Sequence, residues 1–191
     1  MAYTRCMAFT QRSEETRTAI LTAARRRFAE DGYERATIRA IAADAGIDPS
    51  MVMRYYGSKD GLFAAAVDVD LDLPAVGDLP PERRAETLVR HFFALWEGER
   101  SSGVLTVLLR SAITNEAAAE RMRDVFAGQV GTTLGPSTEE GTVRAALVAT
   151  QLLGVALCRY ILRLPQIVAL DTEALVASLA PTVERYLTEP V

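Results

Sequence analysis

At 191 residues, 49% of them hydrophobic, the chain is long enough and apolar enough to build the core of one ordinary domain or of two small ones. Cys6 and Cys158 stand at opposite ends, which argues against a disulfide framework or a paired-thiol zinc site, and a single histidine with no Gly-rich phosphate loop argues against an enzyme. The net charge of −4 conceals an asymmetry: residues 1–60 carry a net +2 and residues 61–191 a net −6, which permits a nucleic-acid-binding front on an acidic body.

Residues 1–11 are mixed in character and the stretch from Ser13 onward is charged, so no secretory leader is read here and the expectation is a cytoplasmic protein. Helical periodicity dominates and predicts an all-α fold. The first helix is expected to begin at Ser13 as N-cap, with Glu14 and Glu15 at the positive end of its dipole and Ile20, Leu21, Ala24 and Phe28 as its apolar stripe. Gly32 suits its close, and Tyr33 then packs. A short helix follows from the cap Thr37, with Ile38, Ile41, Ala42 and Ala45 on one face and Gly46 at its end. Asp48 caps and Pro49 opens a third helix that reaches Tyr56 and closes at Gly57. Ser58 caps a fourth, expected to carry Leu62 and Phe63 inward and to run to about Leu71, before the Pro- and Gly-containing loop 73–81.

Longer helices are predicted over 82–98, 104–114 and 116–134, the last capped by Asn115. Segment 139–163 is the most apolar and about as long as a membrane span, but Gln151 lies inside it and Arg144, Arg159 and Arg163 bracket it, so no membrane is expected. A final helix starts near Asp171, with Pro181 expected to kink or restart it.

The third helix carries the chemistry. Steps of about 100° per residue put Ser50, Met51, Arg54 and Tyr55 in one sector and Val52, Met53 and Tyr56 on the other side. One face can pack on the preceding helices while the other enters a major groove, as a helix-turn-helix requires. Arg54 is the candidate base reader, because its planar fork can engage guanine bidentately. Thr37 at a helix start, Tyr55, and Lys59 in the first turn of the next helix suit phosphates. Lys59 opposes its own helix dipole, which a nearby anion would explain.

The run RATIRAIAADAGIDPSMVMRYYGSKDGLF, preceded by ILTAARRRFAEDGY, resembles the N-terminal DNA-binding domain of TetR/AcrR-family regulators over about residues 14–65. The resemblance implies a three-helix DNA-binding domain, then a larger helical ligand-binding domain that dimerises through its last two long helices. On that likeness, Thr37, Tyr55 and Lys59 match phosphate-contacting positions, and Arg39, Ser50, Met51 and Arg54 match positions that can face bases. Where many relatives carry a tyrosine this chain has Met53, which cannot donate a hydrogen bond to phosphate.

The division expected is a DNA-binding domain over 13–60 and a helical ligand-binding and dimerisation domain over 61–191. Trp96, Arg110, Met122, Phe126 and Gln151, with His91, Phe92 and Tyr160, are candidate pocket residues for an unknown small-molecule effector. Small residues in 145–157, including Ala149, Gly154 and Ala156, suit a homodimer interface through helices near 139–163 and 171–187. The function expected is a repressor released from a near-palindromic operator on double-stranded DNA, with no cofactor and no metal. The alternatives are a ligand-dependent activator and a helical protein-interaction module that does not bind DNA.

Overall fold

In the computed structural model residues 2–98, 101–134 and 138–189 are described, with side chains described from Ser13 onward, and the regular structure among them is helical. Four helices form the front: α1 (Ala2–Arg35), α2 (Ile38–Ala45), α3 (Pro49–Tyr56) and α4 (Lys59–Ala66). The body holds α5 (Pro81–Glu97), α6 (Ser102–Ala112), α7 (Glu116–Val125), α8 (Gly131–Leu134), α9 (Glu139–Ala156), α10 (Pro165–Val168) and α11 (Thr172–Thr188). A wide π-type turn, Phe126–Val130, joins α7 to α8, and another, Leu157–Ile161, prolongs α9.

The caps read from the sequence form as expected. Thr37, Asp48 and Ser58 accept hydrogen bonds from the N–H groups of Ala40 (3.2 Å), Ser50 (2.8 Å) and Gly61 (2.9 Å). Asn115 does the same for Ala118 (2.9 Å), and Asp171, near which only a helix start was expected, caps α11 through Ala174 (2.7 Å), each cap being worth about 1 kcal/mol. Gly46 ends α2 at φ 68° and ψ 31°, the left-handed conformation that costs a glycine nothing.

One core runs without a break from Ile20 and Phe28 of α1 through Ile41, Val52 and Phe63 to Leu105 and Leu108 of α6 and Val125 of α7. A second lies between α5, α9 and α11, around Val89, Phe93, Val148, Leu175 and Val183. Because α6 packs along α1, the front and the body share apolar surface rather than hanging from a linker.

Four expectations are corrected. Helix α1 does not start at Ser13: no Gly or Pro interrupts residues 2–12, the helix continues through them, and Ser13 turns its hydroxyl to Tyr55 instead of capping. Helix α4 stops at Ala66, not near Leu71, because the sequence VDVDL that follows alternates and takes an extended path, with Val69 and Leu71 buried and Asp68 and Asp70 exposed. Pro181 sits inside an unbroken α11, its ring exposed, while Leu175, Val176 and Val183 hold the flanking turns against α5 and α9. The small residues of α9 do not share one outer face: Ala156 is fully buried, Ala149 borders an internal cavity, and Gly154 is exposed.

Candidate nucleic-acid interface and ligand cavity

The front is built to hold α3 rigidly. Phe28 and Tyr33 of α1 meet Phe63 of α4 edge-on, each with ring centroids 5.0 Å apart, and Val52 of α3 is fully buried. Arg27 of α1 grips Asp44 of α2 through two bonds, 2.5 and 2.9 Å, and Arg26 adds a third at 2.9 Å. The hydrogen bond from Arg27, then that from Arg26, hold the Asp44 carboxyl well below the usual carboxylate range.

A pH dependence follows from that clamp. An aspartate in the unfolded chain titrates near pH 4, so the folded-state depression stabilises the protein fully above that pH and is lost as pH falls below it. Asp44→Asn is therefore expected to lower the melting temperature at neutral pH, with the gap to wild type narrowing as the buffer is taken below about pH 4. A gap that stays constant across the titration contradicts the clamp.

With Val52 as the inward pole of α3, Arg54 and Ser50 lie within about 20° of the outward pole, and Met51 and Met53 flank it on either side. Burial agrees: Ser50 and Arg54 are exposed, Met51 is half-buried, and Met53 is 44% exposed instead of packed. The helical wheel has the relative angles right, but its zero is set by Val52 in the core, which turns Met53 outward and Tyr55 inward. The Tyr55 hydroxyl lies 3.1 Å from that of Ser13, and the Arg17 guanidinium lies 5.3 Å from its ring centroid. Tyr56 buries its hydroxyl without a partner among the described residues, and burial raises its pKa.

Arg39 and Thr37 are exposed at the N-terminal end of α2. Lys59 does not rely on an anion: its ammonium donates to the Glu34 carbonyl at the end of α1 (3.1 Å) and sits 4.4 Å from the Tyr33 ring centroid. Tyr33 donates in turn to Asp60, and burial with that carboxylate pushes its phenol up to about 12.

In the body a cavity of about 100 Å³ lies among α5, α6, α7 and α9. Trp96, Met122 and Phe126 come together in its wall, with His91 and Phe92. Arg110 and Gln151 do not line it. Arg110 instead donates to the Ala29 carbonyl (3.2 Å), tying α6 to α1, and Gln151 is half-buried elsewhere on α9. Tyr160 backs the wall: its ring stacks on Trp96 at 5.0 Å and 5°, and its hydroxyl donates to Glu97 (3.1 Å), burial and that carboxylate both raising its pKa. Phe126, Val130, Ala149 and Leu153 also face an open groove of about 620 Å³ on the far side, so a single layer of side chains separates cavity from solvent there.

Residues 20–66 match the family described as bacterial regulatory proteins, tetR family, and residues 82–187 match the tetracyclin repressor-like C-terminal domain. A TetR-family regulator from Streptomyces coelicolor has a solved structure 31% identical to this chain, covering 92% of this chain and 96% of its own, with a TM-score of 0.65. The chain belongs to the TetR family. A TetR-like transcriptional regulator from Rhodococcus is 25% identical over 91% of this chain and 96% of its own, with a TM-score of 0.66. An uncharacterized HTH-type transcriptional regulator of Mycobacterium tuberculosis is 26% identical over 146 residues, 73% of this chain and 68% of the relative. This TetR-family protein is accordingly a DNA-binding transcriptional regulator and not an enzyme.

Two parts of this TetR-family regulator escape sequence reasoning. Ser13 and Arg17, which steady Tyr55, lie before the matched stretch and read as an ordinary polar helix start. Gln129, in the π-type turn, reaches across to the extended segment after α4: its amide oxygen accepts from the Leu71 N–H (2.7 Å) and its amide nitrogen donates to the Val69 carbonyl (2.9 Å). His91 Nε2 lies 2.7 Å from the Leu71 carbonyl, and Arg121 pairs with Asp68. A strap that joins the front to the body, and whose Leu71 and Leu73 border the cavity, is thereby held from three sides.

Proposed function

We propose that this TetR-family regulator is a repressor that binds a near-palindromic operator as a homodimer and leaves it when a small-molecule effector occupies the cavity. The observation that carries this is the outward pole of α3, where Arg54 has no partner among the described residues and Ser50 stands beside it on a frame locked by Asp44. Residues 13–60 serve as the DNA-binding part and 61–191 as the ligand-binding and dimerisation part, a division supported by the separate matches over 20–66 and 82–187. Arg54 and Ser50 read bases, with Met51 at the edge of the same face. Arg39, which the resemblance puts among positions that can face bases, is exposed near the N-terminal end of α2 and is assigned instead, with the capped start at Thr37, to phosphates. Lys59 spends one of its three donors on Glu34 and the others remain for phosphate oxygens; the Tyr55 hydroxyl, paired with Ser13, has its proton to offer a phosphate only where Ser13 is the donor of that pair. Work on DNA also supports the cytoplasmic reading.

The dimer reading rests on unburied apolar surface. Glu139–Ile161 is long and apolar enough by composition to cross a membrane, yet only 22% of its most apolar window is buried within the chain. Val143, Ala146, Thr150 and Gly154 follow one another at helical spacing along its exposed face, and Leu162, Leu164 and Val168 continue beyond. A second copy laid against α9 and α11 would cover that stripe and set two α3 helices on successive half-sites. Sedimentation is expected to give twice the 20.8 kDa chain mass, and Gly154→Arg to give monomer. A Cβ added at Gly154 meets nothing within 4 Å and the position is exposed, so the variant is expected to fold, and a wild-type monomer at micromolar concentration overturns the interface.

Effector and operator are linked by an equilibrium between two separations of the DNA-binding parts, and the effector shifts it only by its differential affinity for the two states. A mobility-shift assay on the protein's own upstream region should give a retarded band that weakens steeply with salt. No band at low salt contradicts the reading.

A further inference from the structure

We infer that the cavity selects a compact, uncharged, ring-sized molecule and reads it with one hydrogen bond to His91. The inference rests on the reading of this cavity as the effector site. No Asp, Glu, Lys or Arg lines it; its wall is leucine, valine, alanine and aromatic carbon with the Met122 thioether. An ion taken into such a site would shed its hydration and find no countercharge, so cations and anions are both disfavoured. The volume sets the size. An apolar cavity of about 150 Å³ takes up benzene, so the 100 Å³ found here needs only a small shift of the unbranched Met122 side chain to hold a six-membered ring.

His91 provides the polar point. Its Nε2 faces the Leu71 carbonyl at 2.7 Å, an acceptor, so Nε2 carries the proton of that bond. In the neutral ring this leaves Nδ1 as an acceptor, for which the described residues offer no partner. A ligand hydroxyl directed at His91 would satisfy it and be satisfied. Elsewhere the lining side chains offer the proton of that hydroxyl no strong acceptor, since the Trp96 indole N–H only donates.

Trp96 is the only tryptophan in the chain and part of the wall, so its emission reports occupancy directly. Four probes transparent to indole excitation separate the alternatives: cyclohexane, cyclohexanol, cyclohexylammonium and cyclohexanecarboxylate, titrated into the full chain. Both neutral rings are expected to shift Trp96 emission, and both ions to bind at least about a hundredfold more weakly. His91→Phe is expected to weaken cyclohexanol about tenfold more than cyclohexane: the Leu71 carbonyl also loses its partner, but that loss is common to both rings, whereas only the alcohol loses a hydrogen bond of its own. Either ion binding within tenfold of cyclohexanol overturns the inference, as does the absence of any response to the neutral rings. An equal loss of both neutral rings in the variant overturns the hydrogen bond to His91, and the wild-type series decides the charge rule even if that variant folds poorly. A mobility shift run alongside separates the two readings: intact operator binding with no ring binding removes only this inference, whereas failure of the ligand-free protein to bind DNA removes the regulator reading itself.

Discussion

Replacing Arg54 by alanine is expected to lower affinity for the operator by about 5- to 150-fold, the 1–3 kcal/mol that a bidentate contact to a base contributes. The guanidinium sits near the outward pole of α3 and makes no ion pair or hydrogen bond among the described residues, so its removal leaves the fold almost untouched, within about 0.5 kcal/mol. The variant should also relax preference at one operator position while binding to unrelated DNA stays nearly as it was. Arg39→Ala makes the contrast: lost phosphate contact weakens all sequences alike and lowers the slope of log K against log salt by about 1. Fluorescence anisotropy over a set of single-base operator variants distinguishes the two. An Arg54→Ala protein that holds the operator like wild type would remove α3 from the recognition role.

How much of this was legible in the sequence depended on the range of the interaction. Caps at Thr37, Asp48, Ser58 and Asn115 could be read because each is a bond between residues two or three apart. The face of α3 was half-legible: the spacing fixes the angles between its residues, but which one points inward is decided by the pocket that Val52 fills among α1, α2 and α4, and that placed Met53 outside and Tyr55 inside. Trp96, Met122 and Phe126 were legible from helical spacing as the apolar side of otherwise polar helices, and such faces do surround the cavity. Arg110 and Gln151 attracted attention as polar groups among apolar neighbours, but the partner of Arg110 is Ala29, 81 residues away, and no local pattern encodes that. The strap is the instructive miss. Its alternation of Val67, Val69 and Leu71 with three aspartates is a strand signal, yet no second strand exists beside it among the described residues; side chains of Gln129 and His91 occupy the place of a neighbouring ladder.

That substitution makes Gln129 the second position with a large expected effect. Gln129→Leu keeps the bulk of the side chain but removes both hydrogen bonds that Gln129 makes to the strap, leaving the Leu71 N–H and the Val69 carbonyl unpaired beside buried side chains. At about 1–3 kcal/mol for each of the two orphaned groups the upper bound is roughly 2–6 kcal/mol, reduced to about 2–4 kcal/mol where water reaches them. For a chain of this size the reduced cost lowers the melting temperature by about 4–16 °C. The consequence for regulation is separate. The strap carries chain from α4 into the cavity wall at Leu71 and Leu73, so a ligand pressing on those residues moves a segment tied directly to the DNA-binding part. With Gln129 in place that push is resisted by the π-type turn and passed on; without it the strap can yield locally. The variant is therefore expected to bind operator nearly as tightly as wild type at a temperature where both are folded, while the loss of affinity on adding cyclohexanol shrinks from the 5- to 150-fold range, roughly, that allosteric coupling usually spans toward none. Anisotropy with and without the probe, paired with Trp96 emission to show that the ring still binds, measures the two quantities independently. An unchanged ratio in a destabilised variant would mean that the Gln129 clamp holds the protein together and transmits nothing.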